Sequence, residues 1–284
     1  GCEYASIFAA LGIEVTLVDG RDRAMPFLDK EVASRLVQEL SRIGVKCVFS
    51  ADVKACRVPG PWEVELDLSN GSIARGEALL VAAGREGNVK ELALDKAGVT
   101  VGKRGIIPVD PATYRTNVPH VYAAGDVIGF PALASTGMEQ GRVAMCHAFD
   151  LKYKTAVHHL LPYGIYTIPE CSYVGATEEE LQKAGTAYET GRFEFADNAR
   201  GKIMGETGFI KLLFGKPDKK LLGAHIVGER ASELVHVAQA HMAHRASIDA
   251  FIDQVFNYPT LGEAFKYAAY DGLGRLAKSA GNSP

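Results

Sequence analysis

The sequence predicts an α/β chain that changes to α+β in its C-terminal part, and three observations carry that expectation. A helix with small residues on one side, over residues 1–12, runs directly into a β-branched strand over 13–18. An apolar β-type run over 116–124 ends on Gly125-Asp126 and leads into a second small-residue helix. Beyond about residue 160 strands follow one another and helices come after them, which is the order of an α+β unit rather than of βαβ units. With 284 residues the chain is long enough for two or three domains, each with a substantial core.

Composition narrows the classes of partner. Lys plus Arg number 31 against 34 Asp plus Glu, and a net charge of -3 supplies no basic field for a nucleic acid or an anionic membrane. The apolar runs are far shorter than a bilayer span, and the first residues lack a basic region followed by an apolar core, so a soluble chain is expected. The five cysteines, Cys2, Cys47, Cys56, Cys146 and Cys171, are odd in number and widely scattered. None has the close spacing of a redox dithiol or a zinc motif, and they read as reduced, packed thiols of a cytoplasmic protein.

The first helix and strand have the form of the second half of a dinucleotide-binding βαβ unit. Gly1 fits the last glycine of a G-x-G-x-x-G turn, and Asp19 stands 18 residues further on at the strand end, where a carboxylate accepts from ribose hydroxyls. The strand and the first two glycines of such a unit do not precede it, so the chain is read as a fragment of a protein that continues upstream. An unrelated helix-strand pair is the plain alternative. The acid points to NAD. Arg21 and Arg23, two and four residues beyond it, are placed to take the 2′-phosphate of NADP, and together they point to a site tolerating both. Each arginine alone reads equally as a solvated loop charge.

Residues 30–42 are amphipathic, with Val32, Leu36, Val37, Leu40 and Ile43 on one face. Residues 62–68 alternate, and Asn70-Gly71 turns them into a second short strand. Residues 77–83 read as a buried strand ending on Gly84-Arg85, with Asn88 close behind. Residues 120–124 read as another. There Gly125 lets a backbone approach a ligand, and Asp126 puts an acceptor-only carboxylate at the strand's carboxyl end, facing the crevice of an open α/β sheet. Asp126 as a mere cap of the following helix is the alternative. Further on, strands are expected over 208–214 and 221–227, and helices from Ala231 and Leu261. His236, His241 and His244 share one of these helices, but no carboxylate or cysteine is suitably spaced beside them, and no metal is expected.

Residues 119–126, Pro-His-Val-Tyr-Ala-Ala-Gly-Asp, followed by Leu133-Ala134 and Glu139-Gln140-Gly141, resemble the second flavin-binding segment of the FAD-dependent pyridine-nucleotide disulfide oxidoreductases. Ala83-Gly84-Arg85 with Asn88 is similar to that family's crossing from nucleotide domain to flavin domain, and the resemblance extends over nearly every residue from 1 to about 276. It implies a partial Rossmann-like NAD(P)-binding domain over 1–85, the C-terminal part of an FAD-binding domain over 86–157, and an α+β dimerisation domain over 158–284 through which a homodimer or higher homo-oligomer forms. FAD, NAD and NADP are the implied cofactors. Carried over position by position, Asp126 bonds the ribityl chain of FAD, Glu3 approaches the nicotinamide end, and Gly1, Asp19, Arg21, Arg23, Gly84, Gly125, Leu133 and Ala134 complete the cofactor-binding set. Glu3 also suits the first turn of a helix for its dipole alone.

The family's disulfide reductases carry His-Pro with a glutamate four residues after the proline, the histidine being the base that activates a dithiol. Here Pro259 and Glu263 are kept while Tyr258 stands in the histidine's place. A phenol with an ordinary pKa near 10 is a poor base at neutral pH, so the dithiol relay is expected to be lost. The resemblance is then to members that pass hydride between NADPH and NAD through the flavin, with Tyr258 and Glu263 shaping the flavin's opposite face. A dihydrolipoamide dehydrogenase-like activity is the alternative, and it requires Tyr258 to be silent. Mercuric-ion reduction needs a thiolate pair near the carboxyl terminus, and residues 277–284 contain no cysteine. A third reading, from a different class, is a dimerisation and binding fragment that has no activity alone.

Overall fold

The structure is a computed structural model that describes residues 1–279 and 281, so the end of the cysteine-free tail lies outside the described residues. It divides into two compact units, one formed by Gly1–Val81 with the segment starting at Pro162, the other by Ala82–Leu161.

Helix α1 (Cys2–Ala10) begins at Gly1 without a side-chain cap and is followed by Gly12 at φ 85°. Strand β1 (Val15–Val18) is two residues shorter than the β-branched run. Helix α2 (Lys30–Arg42) crosses from it to β2 (Val45–Val48), and the two strands pair in parallel with Val15 opposite Val45. The Asp29 carboxylate caps α2 by accepting the Glu31 N–H at 3.0 Å. Val32, Leu36 and Leu40, spaced four apart, are fully buried on its inner face, each contributing about 1.5–3 kcal/mol of burial. Next comes an antiparallel meander of β3 (Val53–Gly60), β4 (Glu63–Leu68) and β5 (Ile73–Gly76), with Gly71 at φ 83° in the expected turn. The sequence does not announce β3, because that edge strand is exposed along nearly all its length and shows no alternation.

Residues 77–83 form no strand, against expectation. Leu79, Leu80 and Val81 are exposed. Their composition suits a buried strand, but no strand among the described residues pairs with them.

In the unit from Ala82 to Leu161, Val89, Val99 and Ile107 gather Val118, Val121 and Val127 into one small core, and Tyr114, Val143 and Ala144 form another. Residues 120–124 are likewise not a continuous strand: only Tyr122 bridges, to Arg115. The bridge carries two cross-strand bonds, Ala123 N–H to Tyr114 O and Thr116 N–H to Val121 O, and goes no further because the Val121 N–H turns back to Val118 O. Helix α3 (Ala134–Ala148) follows.

After Pro162 come β6 (Tyr163–Ile165), β7 (Cys171–Gly175), α4 (Glu178–Lys183), β8 (Tyr188–Glu194), α5 (Ala199–Met204), β9 (Phe209–Gly215) and β10 (Leu221–Val227). The strands form one antiparallel sheet in the order β6-β7-β10-β9-β8, the α+β pattern the sequence implies. Helices α6 (Ala231–Ala243), α7 (Asp249–Asp253) and α8 (Ala264–Ser279) complete the chain, α8 being entered through a single 3-10 turn at Leu261–Glu263. Every residue of β9 is buried. A single core runs from α1 and α2 into this sheet, joining Ala5, Val32 and Leu36 to Tyr173, Phe209 and Val227. Among the described residues no helix is long and apolar enough to cross a membrane. All five cysteines are free, and Cys56 is exposed on β3 rather than packed as expected, because that strand has no covering layer.

Candidate functional site

The Gly125-Asp126 turn is held by its own unit. Gly125 has φ 81° and ψ -159°, a conformation essentially restricted to glycine. Its N–H is donated to the Gln140 side-chain oxygen at 2.7 Å, and its carbonyl accepts the Ile128 N–H at 3.0 Å. A Cβ built on Gly125 would meet nothing within 4 Å, so the turn presents a bare backbone face to open space. The Asp126 carboxylate accepts from Arg85 Nη1 at 2.9 Å. Gly84, at φ 116°, leads into Arg85, whose carbonyl accepts from Arg104 Nη2 at 2.6 Å. Leu133 and Ala134 form the start of α3, where no side chain caps the first N–H groups. The structure thus brings together Gly84, Arg85, Gly125 and Asp126. An open glycine face, an exposed acceptor and Arg85 beside it fit the hydroxylated chain and phosphates of a dinucleotide such as FAD.

At the other predicted site Gly1 opens α1, and the Glu3 carboxylate accepts the Tyr166 N–H at 2.9 Å. Asp19 closes β1, donating its N–H to Val48 O at 2.9 Å. Its carboxylate is clasped by Arg21: Nε lies 2.9 Å from Oδ1 and Nη2 2.6 Å from Oδ2. These bonds hold the Asp19 carboxyl below the usual carboxylate range. Arg23 turns elsewhere, donating to Pro26 O at 3.0 Å and lying 4.0 Å from Glu179. Acid and first arginine are therefore partners, and the second arginine is set apart from them.

Tyr258 is exposed, 73%, and its bond to Pro259 is cis. The turn that carries it is pinned by buried Asn198, whose side-chain amide donates to Thr260 O at 3.1 Å. Glu263 accepts from the Tyr267 hydroxyl at 3.3 Å, and Tyr267 stacks on Phe193 with centroids 4.9 Å apart.

Sequence reasoning missed a buried charge cluster. Lys211, the one cation of apolar β9, places Nζ 2.8 and 3.0 Å from the two Asp29 oxygens and 3.0 Å from Glu31, and it also bonds Glu178. The three carboxylates lie within 4.8 Å of one another, and this ammonium sits among them as their cation. Burial works against the charge on Lys211, but the bonds from Asp29 and Glu178 raise its pKa above the usual lysine value. His225, fully buried on β10 and opposite Lys211 in the sheet, bonds Ala176 O through Nε2 at 2.9 Å, while Nδ1 has no partner. The signal was a lone lysine and a lone histidine in strands otherwise apolar. As for the histidines weighed as ligands, His236 Nδ1 bonds the Gln239 side chain at 2.9 Å and His241 Nδ1 bonds Val237 O at 2.8 Å.

Comparison with known proteins agrees with this layout. Residues 1–141 match a family model described as pyridine nucleotide-disulphide oxidoreductase, and residues 161–269 match the dimerisation domain of the same family. A protein named soluble pyridine nucleotide transhydrogenase from Mycobacterium bovis is 46% identical over 97% of this chain and 58% of its own length. Proteins of that name from Pseudomonas putida and Yersinia enterocolitica are 44% and 41% identical, over 97% of this chain and 60% of theirs. The chain therefore spans about three fifths of the length of these curated relatives. Among solved structures, LpdA from Mycobacterium tuberculosis superposes with a TM-score of 0.84 at 26% identity, covering 95% of this chain and 58% of that one. The HOCl-induced flavoprotein disulfide reductase RclA from Escherichia coli shares the fold, with a TM-score of 0.86 at 24% identity over 92% of this chain and 60% of that one. With two models of one family matching in sequence over most of its length, the chain belongs to the pyridine nucleotide-disulphide oxidoreductases.

Proposed function

We propose that the protein takes part in hydride transfer between NADPH and NAD through a bound FAD. Tyr258 carries this reading, because it stands directly before Pro259, itself four residues ahead of Glu263, where a disulfide reductase needs a base. The relatives at 41–46% identity bear the transhydrogenase name, which supports it. FAD, when bound, supplies the ring that takes hydride from one nucleotide and returns it to another.

The chain's own residues bind and orient. Asp126 accepts from the ribityl hydroxyls, Gly125 and Gly84 let the backbone come close, and the start of α3 at Leu133-Ala134 turns unpaired N–H groups toward the cofactor. Gly1 and Glu3 line the nucleotide end, and Asp19 accepts from the ribose of NAD. Arg21 is the donor for the 2′-phosphate of NADP, joined by Arg23 once that side chain leaves Pro26 O. Tyr258 and Glu263 shape the face of the flavin across from the nicotinamide, in a homodimer formed through residues 158–284. Transfer between two planar rings needs alignment rather than proton movement, so no base is assigned. The regions 1–85, 86–157 and 158–284 are the working divisions of this reading, and the cytoplasm is its compartment.

The test is NADPH-dependent reduction of a thio-NAD analogue by FAD-supplemented protein, beside lipoamide-dependent NADH oxidation. Turnover in the first alone is expected. Turnover with lipoamide would replace this reading by the disulfide reductase. Tyr258→Phe should alter the half-reactions or the oxygen reactivity of the reduced flavin, and an unchanged variant removes Tyr258 from the site. A second reading is favoured by the match of residues 161–269 to a dimerisation domain: the chain serves as a dimerisation and binding module without turnover. The flavin absorbance of the purified chain separates the two.

A further inference from the structure

We propose that Gln140 is the positioning residue of the Gly125-Asp126 turn, acting on Asp126 through the Gly125 peptide. The inference rests on the flavin reading of that turn and adds to it a residue that touches no cofactor.

Three contacts fix Gly125. Its N–H is given to the Gln140 side-chain oxygen at 2.7 Å, its carbonyl takes the Ile128 N–H at 3.0 Å, and α3 closes on it at Gly137, where an added Cβ would stand 3.0 Å from Gly125 Cα. Gly137 and Gln140 are three apart on α3 and so share one face. Gln140 is 4% exposed, so its oxygen is not replaced readily by water. The fourth side of Gly125 is the open one.

The dihedrals explain why a clamp is needed. At φ 81° and ψ -159° the Gly125 backbone lies in a region that glycine enters without strain and leaves as easily, so glycine by itself does not fix the turn and its neighbours must. The ψ of Gly125 sets the direction of the next peptide, and with it the direction in which the Asp126 side chain leaves the backbone. Without the Gln140 oxygen the Gly125 N–H loses its acceptor, the turn relaxes, and the carboxylate leaves the direction in which it meets Arg85 at 2.9 Å. Tyr122, three residues upstream, is tied to the same helix by a 2.8 Å bond between its hydroxyl and His147 Nδ1, so α3 holds the segment at two separate points.

The experiment compares the wild-type chain with Gln140→Leu, which removes the acceptor, and Gln140→Glu, which restores one. Hydrogen exchange across residues 121–129 and the NMR chemical shift of the Asp126 carboxyl carbon are read without any cofactor. Gln140→Leu should exchange the Gly125 amide about tenfold faster or more, for the loss of one buried hydrogen bond, and move the Asp126 carboxyl resonance as its contact with Arg85 loosens, while the Gly125 amide of Gln140→Glu stays close to wild type. Unchanged exchange in Gln140→Leu overturns the clamp, and faster exchange with an unmoved Asp126 overturns the positioning. FAD titration by flavin fluorescence adds the functional arm, with about tenfold weaker binding expected for Gln140→Leu and rescue in Gln140→Glu. Equal affinity in all three proteins overturns the role toward the cofactor. A wild-type chain that takes up no FAD counts against the flavin reading itself, and the cofactor-free measurements still decide whether Gln140 directs Asp126.

Discussion

Lys211 Nζ lies 2.8 and 3.0 Å from the two carboxylate oxygens of Asp29, with the lysine side chain 0% and the aspartate side chain 1% exposed. Asp29 belongs to the loop that follows Asp19, and Lys211 belongs to the antiparallel sheet, so this pair joins two segments 182 residues apart. Removing one member leaves the other charge buried and unpaired. Lys211→Met should therefore destabilise the protein by about 3–5 kcal/mol, read from urea unfolding. Combining it with Asp29→Asn should cost less than the two single losses added together. A single-variant loss under about 1 kcal/mol would show that the pair does not hold the segments together.

His225 should give the protein an acid-side loss of stability. Burial lowers its pKa in the folded state below the ordinary value, the nearby Asp29 and Glu179 opposing and Lys211 assisting that shift. The unfolded chain then binds the proton more readily, so the contribution is fully present above the unfolded value of about 6.5 and is lost as pH falls from there toward the folded value. The groups facing His225 are Tyr173 on β7, Ala176 O ahead of α4, Lys211 on β9 and Asp29. Urea midpoints of wild type and His225→Phe measured against pH should converge as pH falls through that window. Parallel curves would exclude His225 as their cause.

Arg21 should separate the two nucleotides. It clasps Asp19 now, and a 2′-phosphate offers it a better charged partner than a ribose hydroxyl does. Arg21→Ala should weaken NADPH about tenfold more than NADH, the scale of one charge-assisted hydrogen bond. Isothermal titration with both nucleotides checks this, and equal losses would assign Arg21 to structure alone.

Gly125→Ala tests the turn from the other side. The added methyl meets open space, so any cost comes from backbone conformation, about 1–3 kcal/mol. Thermal unfolding reads that cost. A variant as stable as wild type would mean the turn has freedom to adopt another conformation.

Much of the fold was legible where one residue pattern meets one partner. Val32, Leu36 and Leu40 gave α2, and Asn70-Gly71 with the alternation before it gave the β4-β5 hairpin, because periodicity and turn chemistry are local. Residues 77–83 misled for the opposite reason: Leu79, Leu80 and Val81 have strand composition, but a strand also needs a neighbour, and composition cannot supply it. At Gly125-Asp126 the glycine turn is where the sequence puts it, with the Asp126 carboxylate paired to Arg85, while the strand before it shrank to one bridge at Tyr122. Lys211 and His225 went unnoticed because each is a single polar letter in an apolar strand, and its meaning lies in Asp29 and Glu178, distant in sequence.

The seam along α2 also limits how the molecule can be recombined. Glu31 meets Arg192, Arg35 meets Glu194 over the ring of Phe209, and Glu39 meets Thr207, each a match between the helix and the sheet strands or the loop before β9. A chimaera that borrowed residues 1–81 from another member of the family would have to bring a helix with acid, base and acid at the same four-residue spacing. A donor lacking Asp29 would leave the buried ammonium of Lys211 without its two closest-fitting acceptors and dependent on Glu178, so exchanging the whole segment will cost stability that changing Arg21 or Arg23 alone does not.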